Sequence, residues 1–196
     1  MVAAVQKTDI VGLTDDRYRL GVWVLLASVV MLFTSLTSAY IVRIAASNDW
    51  RPIPMPRVLI VSTVLLLLSS ITFETGKRKL KKRESAASRG WVMLTTLLGF
   101  AFLILQLVAW RQLVSQGVYL ASNSQSSFFY LLTATHGVHL FGGLLALIYL
   151  MLRSRRLVKS DFAQVRSLAV TSAAALYWHF MDALWIYLFL LLFFWR

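Results

Sequence analysis

The sequence predicts an all-α, polytopic membrane protein, a bundle of five transmembrane helices, and three observations lead there. Of its 196 residues, 59% are hydrophobic and only 14% charged, with a mean hydropathy of +0.70, which is a membrane composition. Five apolar runs are long enough to cross a hydrocarbon core, which takes roughly 20 apolar residues in a helix. The basic residues, finally, sort to one side of the five-span topology.

Each span has its own justification. The first, about 20–43, follows MVAAVQKTDIVGLTDDRYR, which lacks an apolar core of signal-peptide length and carries Asp9, Asp15 and Asp16; it reads as retained. The second, about 57–76, comes after a connection that holds all three prolines. Glu74 in its last turn stands three and four residues before Lys77 and Arg78, the spacing of an interfacial ion pair. The third, about 91–114, carries Gln106 at mid-span. The fourth, about 126–152, follows the polar SNSQSS and contains His136 and His139. The fifth, about 170–195, contains YWHFMDALW, with His179 and Asp182 three residues apart.

The whole chain, 1–196, reads as one membrane domain, because no loop is long enough to fold separately. An odd number of spans argues against the paired halves of many secondary transporters. Ser35 and Ala39 on the first span, and Gly142 and Ala146 on the fourth, have the four-residue spacing that lets helices approach closely.

The net charge is +12, and its distribution matters more than its sum. The N-terminal tail and the 77–90 and 153–169 loops share one side and hold fifteen of the twenty Lys and Arg residues. The positive-inside rule then predicts a cytoplasmic N-terminus and an outside C-terminus. The run KRKLKKR suits anionic headgroups. No aromatic residues interleave it as a nucleic-acid stacking surface requires, so nucleic acid is not an expected partner. The absence of cysteine excludes disulfides, thiolate metal sites and cysteine nucleophiles.

An ionisable group deep in a bilayer must pair, face the bundle interior or serve a function. Glu74 and Asp182 are the two acids within spans, and all three histidines lie in spans. The i,i+3 spacing puts His136 and His139 on one face of the fourth helix, and His179 and Asp182 on one face of the fifth. Counted from the same membrane side, these four groups could meet near the midplane. Three chemistries compete. Imidazoles ligate metal or haem, but Asp182 is the only further strong ligand, and Leu140, Phe141, Trp178 and Phe180 would fill the space a macrocycle needs. Asp and His chains relay protons in pumps, but no further acids extend a route to both surfaces. The reading the residues favour is that His136, His139, His179 and Asp182 satisfy one another and the hydroxyls of Thr133, Thr135 and Tyr177, fixing the packing of the last two helices.

Two stretches also carry a family resemblance. FFYLLTATHGVHLFGG (128–143) resembles F-F-x-x-T-G-x-H-G-x-H-V-x-x-G, and YWHFMDALWIYLFLLLFFW (177–195) resembles Y-W-H-F-V-D-x-x-W-x-x-L. Both are marks of subunit III of the haem-copper terminal oxidases. GVWVLLASVVMLF (21–33), VLLLLSSITFETG (64–76) and LGFAFLILQLVAW (98–110) resemble the other shared helices in the right order.

The resemblance implies the five-helix bacterial type of subunit III, in the bacterial inner membrane, within a proton-pumping oxidase that reduces oxygen to water in aerobic respiration. It implies a non-catalytic, lipid-binding chain that supports the stability and proton uptake of subunit I. Subunit I would be its main partner, with subunit II and a small subunit IV; haem and copper would sit in partner subunits and none in this chain. A phospholipid cleft would separate spans one and two from spans three to five, with Trp23, Arg57 and Arg166 as candidate lipid contacts at its rim.

Departures from the pattern accompany the match. Val29 and Ala109 stand where many members have glutamates, and Ala134 replaces the glycine of T-G-x-H. Alternative readings are a subunit III-like partner of a quinol oxidase or nitric oxide reductase and, from another class, a small ion or solute transporter using the His/Asp cluster.

Overall fold

The structure is a computed structural model that describes the backbone of residues 2–46, 55–154 and 161–194, and the side chains of 20–46, 55–152 and 167–194. Among the described residues there are five helices: α1 (Val2–Ala46), α2 (Val58–Lys81), α3 (Ser85–Ser115), α4 (Ser124–Ser154) and α5 (Asp161–Phe194). Each contains a stretch long and apolar enough to span a membrane. Helices are the required solution, since hydrocarbon leaves every backbone N–H and C=O to be satisfied within its own segment. Hydroxyls in the spans follow the same rule by bonding back to their own helix. Thr37 donates to the Phe33 carbonyl at 2.8 Å, Thr63 to Leu59 at 2.7 Å and Thr133 to Phe129 at 2.7 Å.

The helices outrun the predicted spans. Instead of a loop over 77–90, α2 continues to Lys81 and α3 begins at Ser85. Past the hydrocarbon, water solvates the polar side chains, and Arg78, Lys79 and Lys81 sit in the last turn of α2, where they complement the helix dipole. The turn between α2 and α3 closes with the Arg83 N–H bonded to the Leu80 carbonyl and the Glu84 N–H to Lys79. That is a Schellman motif with Arg83, at φ 64°, in the left-handed position usually given to glycine. Gly117, at φ 79°, ends α3 with the same pattern. SNSQSS proves to be a helix start: Asn123 Oδ1 accepts from the Ser126 N–H at 2.8 Å, and Ser126 Oγ accepts from the Asn123 N–H at 3.1 Å, a reciprocal cap.

Helices α2, α3, α4 and α5 close a four-helix ring in which each packs on its sequence neighbour and α5 returns to α2. The α2–α3 hairpin is its most extensive contact, and α1 lies outside the ring against α5 and α4. Among the described residues α1 and α2 do not pack on each other. The expected division, a cleft with the first two helices on one side and the last three on the other, is therefore not the arrangement here. Helix α2 is tied into the ring by α3 and α5.

Trp178 and Trp185 of α5, Phe102 of α3, Leu140 and Leu144 of α4, and Leu66 and Phe73 of α2 are buried in the core. Two glycines make room for neighbouring aromatic side chains of α5, Gly99 for Trp178 and Gly143 for Tyr177. A Cβ on Gly99 would lie 2.8 Å from both Trp178 and Leu144, and one on Gly143 would lie 3.1 Å from Tyr177. The small pairs expected to bring helices together do not do so: Ser35, Ala39, Gly142 and Ala146 are all exposed on the outer faces. Gly143, one residue beyond the expected position, makes the close contact instead.

Two measurements check this packing. Gly99→Leu is expected to destabilise the purified protein by about 1–3 kcal/mol through overpacking, read as its denaturation midpoint in detergent. Gly142→Leu, whose added atoms meet open space, should change it by less than about 0.5 kcal/mol. At the α2–α3 turn, the Lys79 ammonium 2.7 Å from Glu84 holds that carboxyl below the ordinary glutamate value of 4.5. The pair's contribution is present above the unfolded pKa and lost as pH falls through the lower folded one. NMR titration of Glu84 should show the depressed midpoint, and Lys79→Ala should raise it.

Candidate functional site

The polar face of α5 is positioned by three residues that turn toward α2. Trp178 Nε1 donates to Ser69 Oγ at 3.1 Å, and Trp185 Nε1, two turns on, donates to Thr63 Oγ1 at 3.0 Å. Between them, His179 Nδ1 and Ser70 Oγ share a hydrogen bond of 2.5 Å. The other ring nitrogen, Nε2, faces Glu74 Oε2 at 3.8 Å, within ion-pair range. Glu74 also meets Lys77 at 3.1 Å and Arg78 at 3.5 Å, as its spacing predicts. A continuous polar seam thus runs along α2 from the basic end of the helix into the bundle.

Asp182 lies one turn beyond His179 and is 3% exposed. The Ser70 hydroxyl is within interaction range of its carboxyl but is engaged by His179, and neither Asp182 oxygen has a hydrogen bond. His136 is fully buried, its ring between those of Trp185 at 5.0 Å and Phe102 at 6.0 Å between centroids, with both nitrogens unpaired. His139 is half-buried, with Nδ1 2.8 Å from the Thr135 carbonyl and its ring edge-on to Phe33 of α1. Tyr177 donates to the His139 backbone carbonyl at 2.8 Å.

The four predicted groups thus fall into separate settings. His136 and His139 share α4 but make contacts on different sides, while His179 turns to α2 and Asp182 bonds to nothing. Mutual satisfaction of imidazoles and carboxylate is not how α4 and α5 are held. The partners that sequence reasoning missed are the hydroxyls of α2: Thr63, Ser69 and Ser70. Their signal was present as STVLLLLSS, two polar pairs two turns apart on one face of an apolar run. For metal or haem the donors do not converge, and among the described residues no three His, Cys, Asp or Glu side chains form a ligand group. The faces of His136 are also covered by aromatic rings.

The lipid-contact candidates are apart too. Trp23, exposed on α1, and the start of α5 lie at the basic end, whereas Arg57 caps the start of α2 at the opposite end. The side chain of Arg166 lies outside the described residues. A lipid-facing groove of about 230 Å³ does open between α1 and α5, lined by Val30, Phe33 and Thr37 on one wall and Phe180, Leu184 and Tyr187 on the other.

Residues 7–196 match the family described as cytochrome c oxidase subunit III. The chain belongs to that family. Relatives agree along nearly the whole length. A Mycobacterium tuberculosis protein named probable cytochrome c oxidase subunit 3 is 35% identical over 180 residues, covering 90% of this chain and 87% of its own. Proteins named cytochrome c oxidase subunit 3 in Corynebacterium diphtheriae and Bacillus sp. PS3 are 30% and 32% identical, over 98% and 87% of this chain and 92% and 82% of theirs. Together with the five spanning helices, this identifies a multi-pass bacterial membrane protein. Val29 and Ala109 are both buried in apolar core.

A carboxyl without a partner contributes no pairing energy. Asp182→Asn is therefore expected to leave the unfolding free energy unchanged or raise it, by up to about 3 kcal/mol. A loss of about 3–5 kcal/mol in the same detergent-unfolding assay, the cost of breaking a buried pair, would restore the pairing role.

Proposed function

We propose that this chain is a non-catalytic, lipid-binding subunit III of a proton-pumping haem-copper oxidase, and that it supports the stability and proton uptake of subunit I. Family membership makes it a component of a complex with other oxidase subunits. The observation that carries the finer reading is the filled interior. Trp178, Trp185 and Phe102 occupy the bundle axis where a cofactor or a transport path would have to run. Haem and copper then belong to the partner subunits, and this chain contributes its surface.

That surface is apolar and grooved. The α1–α5 groove supports lipid binding because it offers acyl-chain-compatible walls, with Trp23 two turns from Val30 on the same face of α1 at the depth where indoles favour the headgroup region. The outward pairs Ser35–Ala39 and Gly142–Ala146 leave flat strips where a partner helix can approach closely. The N-terminus is assigned to the cytoplasm by the basic residues at the tail, the α2–α3 turn and the α4–α5 connection.

Two experiments test this. A tagged chain, purified in mild detergent, should bring down a haem-containing partner with co-purified phospholipid; recovery as a partnerless homo-oligomer, or solute flux in liposomes holding this chain alone, would overturn the reading. Because the sequence has no cysteine, single substitutions report sidedness cleanly. Lys82→Cys should be labelled only from the cytoplasmic side and Ser122→Cys only from outside, and the reverse pattern would refute the orientation.

A further inference from the structure

We propose that Glu74, His179 and Ser70 form a proton path from the basic end of the bundle to Asp182, making that buried carboxyl a proton-binding site loaded from one side. The contacts are sequential. Lys77 and Arg78 hold Glu74 at 3.1 and 3.5 Å, Glu74 faces His179 Nε2 at 3.8 Å, and His179 Nδ1 meets Ser70 at 2.5 Å. Ser70 is hydrogen-bonded to the imidazole and lies within reach of the Asp182 carboxyl without a hydrogen bond to it. At the end of the line, both Asp182 oxygens are buried and unpaired.

Each step balances. A proton on Glu74 passes to His179 Nε2, the Nδ1 proton passes to Ser70 Oγ, and the Ser70 hydroxyl proton moves to an Asp182 oxygen. Glu74 is left a carboxylate and Asp182 a neutral acid. His179 has exchanged tautomers and Ser70 has turned from one neighbour to the other. Rotation of the imidazole, which is half-buried, resets the path.

The geometry favours storage over conduction. One turn beyond Asp182 the Trp185 indole is committed to Thr63, and Leu188 and Leu192 are buried after it, so the seam ends at the acid. Among the described residues the charged groups acting on His179 are Glu74 and Lys77 of α2, with Arg78 paired to Glu74 behind them. Helix α4 brings His136 and His139 into the bundle without a hydrogen bond to Asp182. Arg43 of α1 lies at the other end, bonded to Ser124. A carboxyl at such depth with no partner is costly, and proton binding gives it a use that packing does not. This inference stands independently of the lipid-binding reading.

Infrared spectroscopy of the full-length chain in lipid nanodiscs tests it. Wild type should show the carbonyl band of a protonated carboxyl that Asp182→Asn removes, and the band should shift on mixing with heavy water. His179→Ala should slow that shift at least about a hundredfold, the usual worth of a positioned proton-transfer group, and added imidazole should restore it. Ser70→Ala should slow it as well, and serves if the histidine variant does not fold. No Asp182 band at any pH, unchanged exchange in both variants, or slowing that imidazole fails to reverse would each overturn the proposal.

Discussion

Trp178 touches every helix of the ring from a position on α5. Its indole nitrogen donates to Ser69 of α2, its six-membered ring lies over Gly99 of α3, and its other edge meets Gly143 of α4. In a bilayer no hydrophobic driving force separates one apolar helix face from another, so close packing and satisfied polar groups decide which faces meet. Trp178 supplies both. Its size demands the glycine at 99 on α3, and its one donor demands an acceptor on α2. Once that side chain is seated, the relative depth of the four helices is set.

The rest of the α5 seam repeats the device at intervals of a turn. Trp185 and His179 point from the same helix toward hydroxyls of α2, and Trp110 of α3 donates to Thr133 of α4 at 3.2 Å. The hydroxyls that accept from indoles also donate back into their own helices: Thr63 to Leu59, Ser69 to Leu66, Thr133 to Phe129. The arrangement uses both capacities of a hydroxyl in a medium that supplies neither. It also explains why the seam is weakly polar where it crosses the core and charged only near Glu74, where Lys77 and Arg78 reach toward the basic end.

The five spans, the Glu74 ion pairs and the family marks were legible in the sequence because each depends on composition or on spacing within one helix. What was not legible depends on register between helices. Ser35–Ala39 and Gly142–Ala146 have the spacing of a packing pair, but spacing does not say which face turns inward, and Gly143 beside Gly142 was the residue that mattered. His179 was read as a partner for α4 from depth alone, and depth does not distinguish α4 from α2 when both flank α5. The α2 hydroxyls looked unremarkable because Ser and Thr are common in spans. Only the rotation of α5 reveals that they face its indoles and imidazole. Helix ends were underestimated for a different reason: hydropathy reports where lipid stops, whereas the backbone stays helical until a Schellman turn or a cap ends it.

The same registration sets Asp182 apart from other buried positions of the bundle. Val29 and Ala109 are packed in the apolar core, and a carboxylate at either place would need a partner brought in at the expense of packing. Asp182 differs because the α2 seam delivers Ser70 to its side, and through Ser70 the imidazole and Glu74. A neutral side chain at 182 would leave no partner stranded, because neither Asp182 oxygen is hydrogen-bonded. That the seam leads to it from the charged end, and that Trp185 and two leucines close the way beyond, is the physical difference between this position and positions 29 and 109.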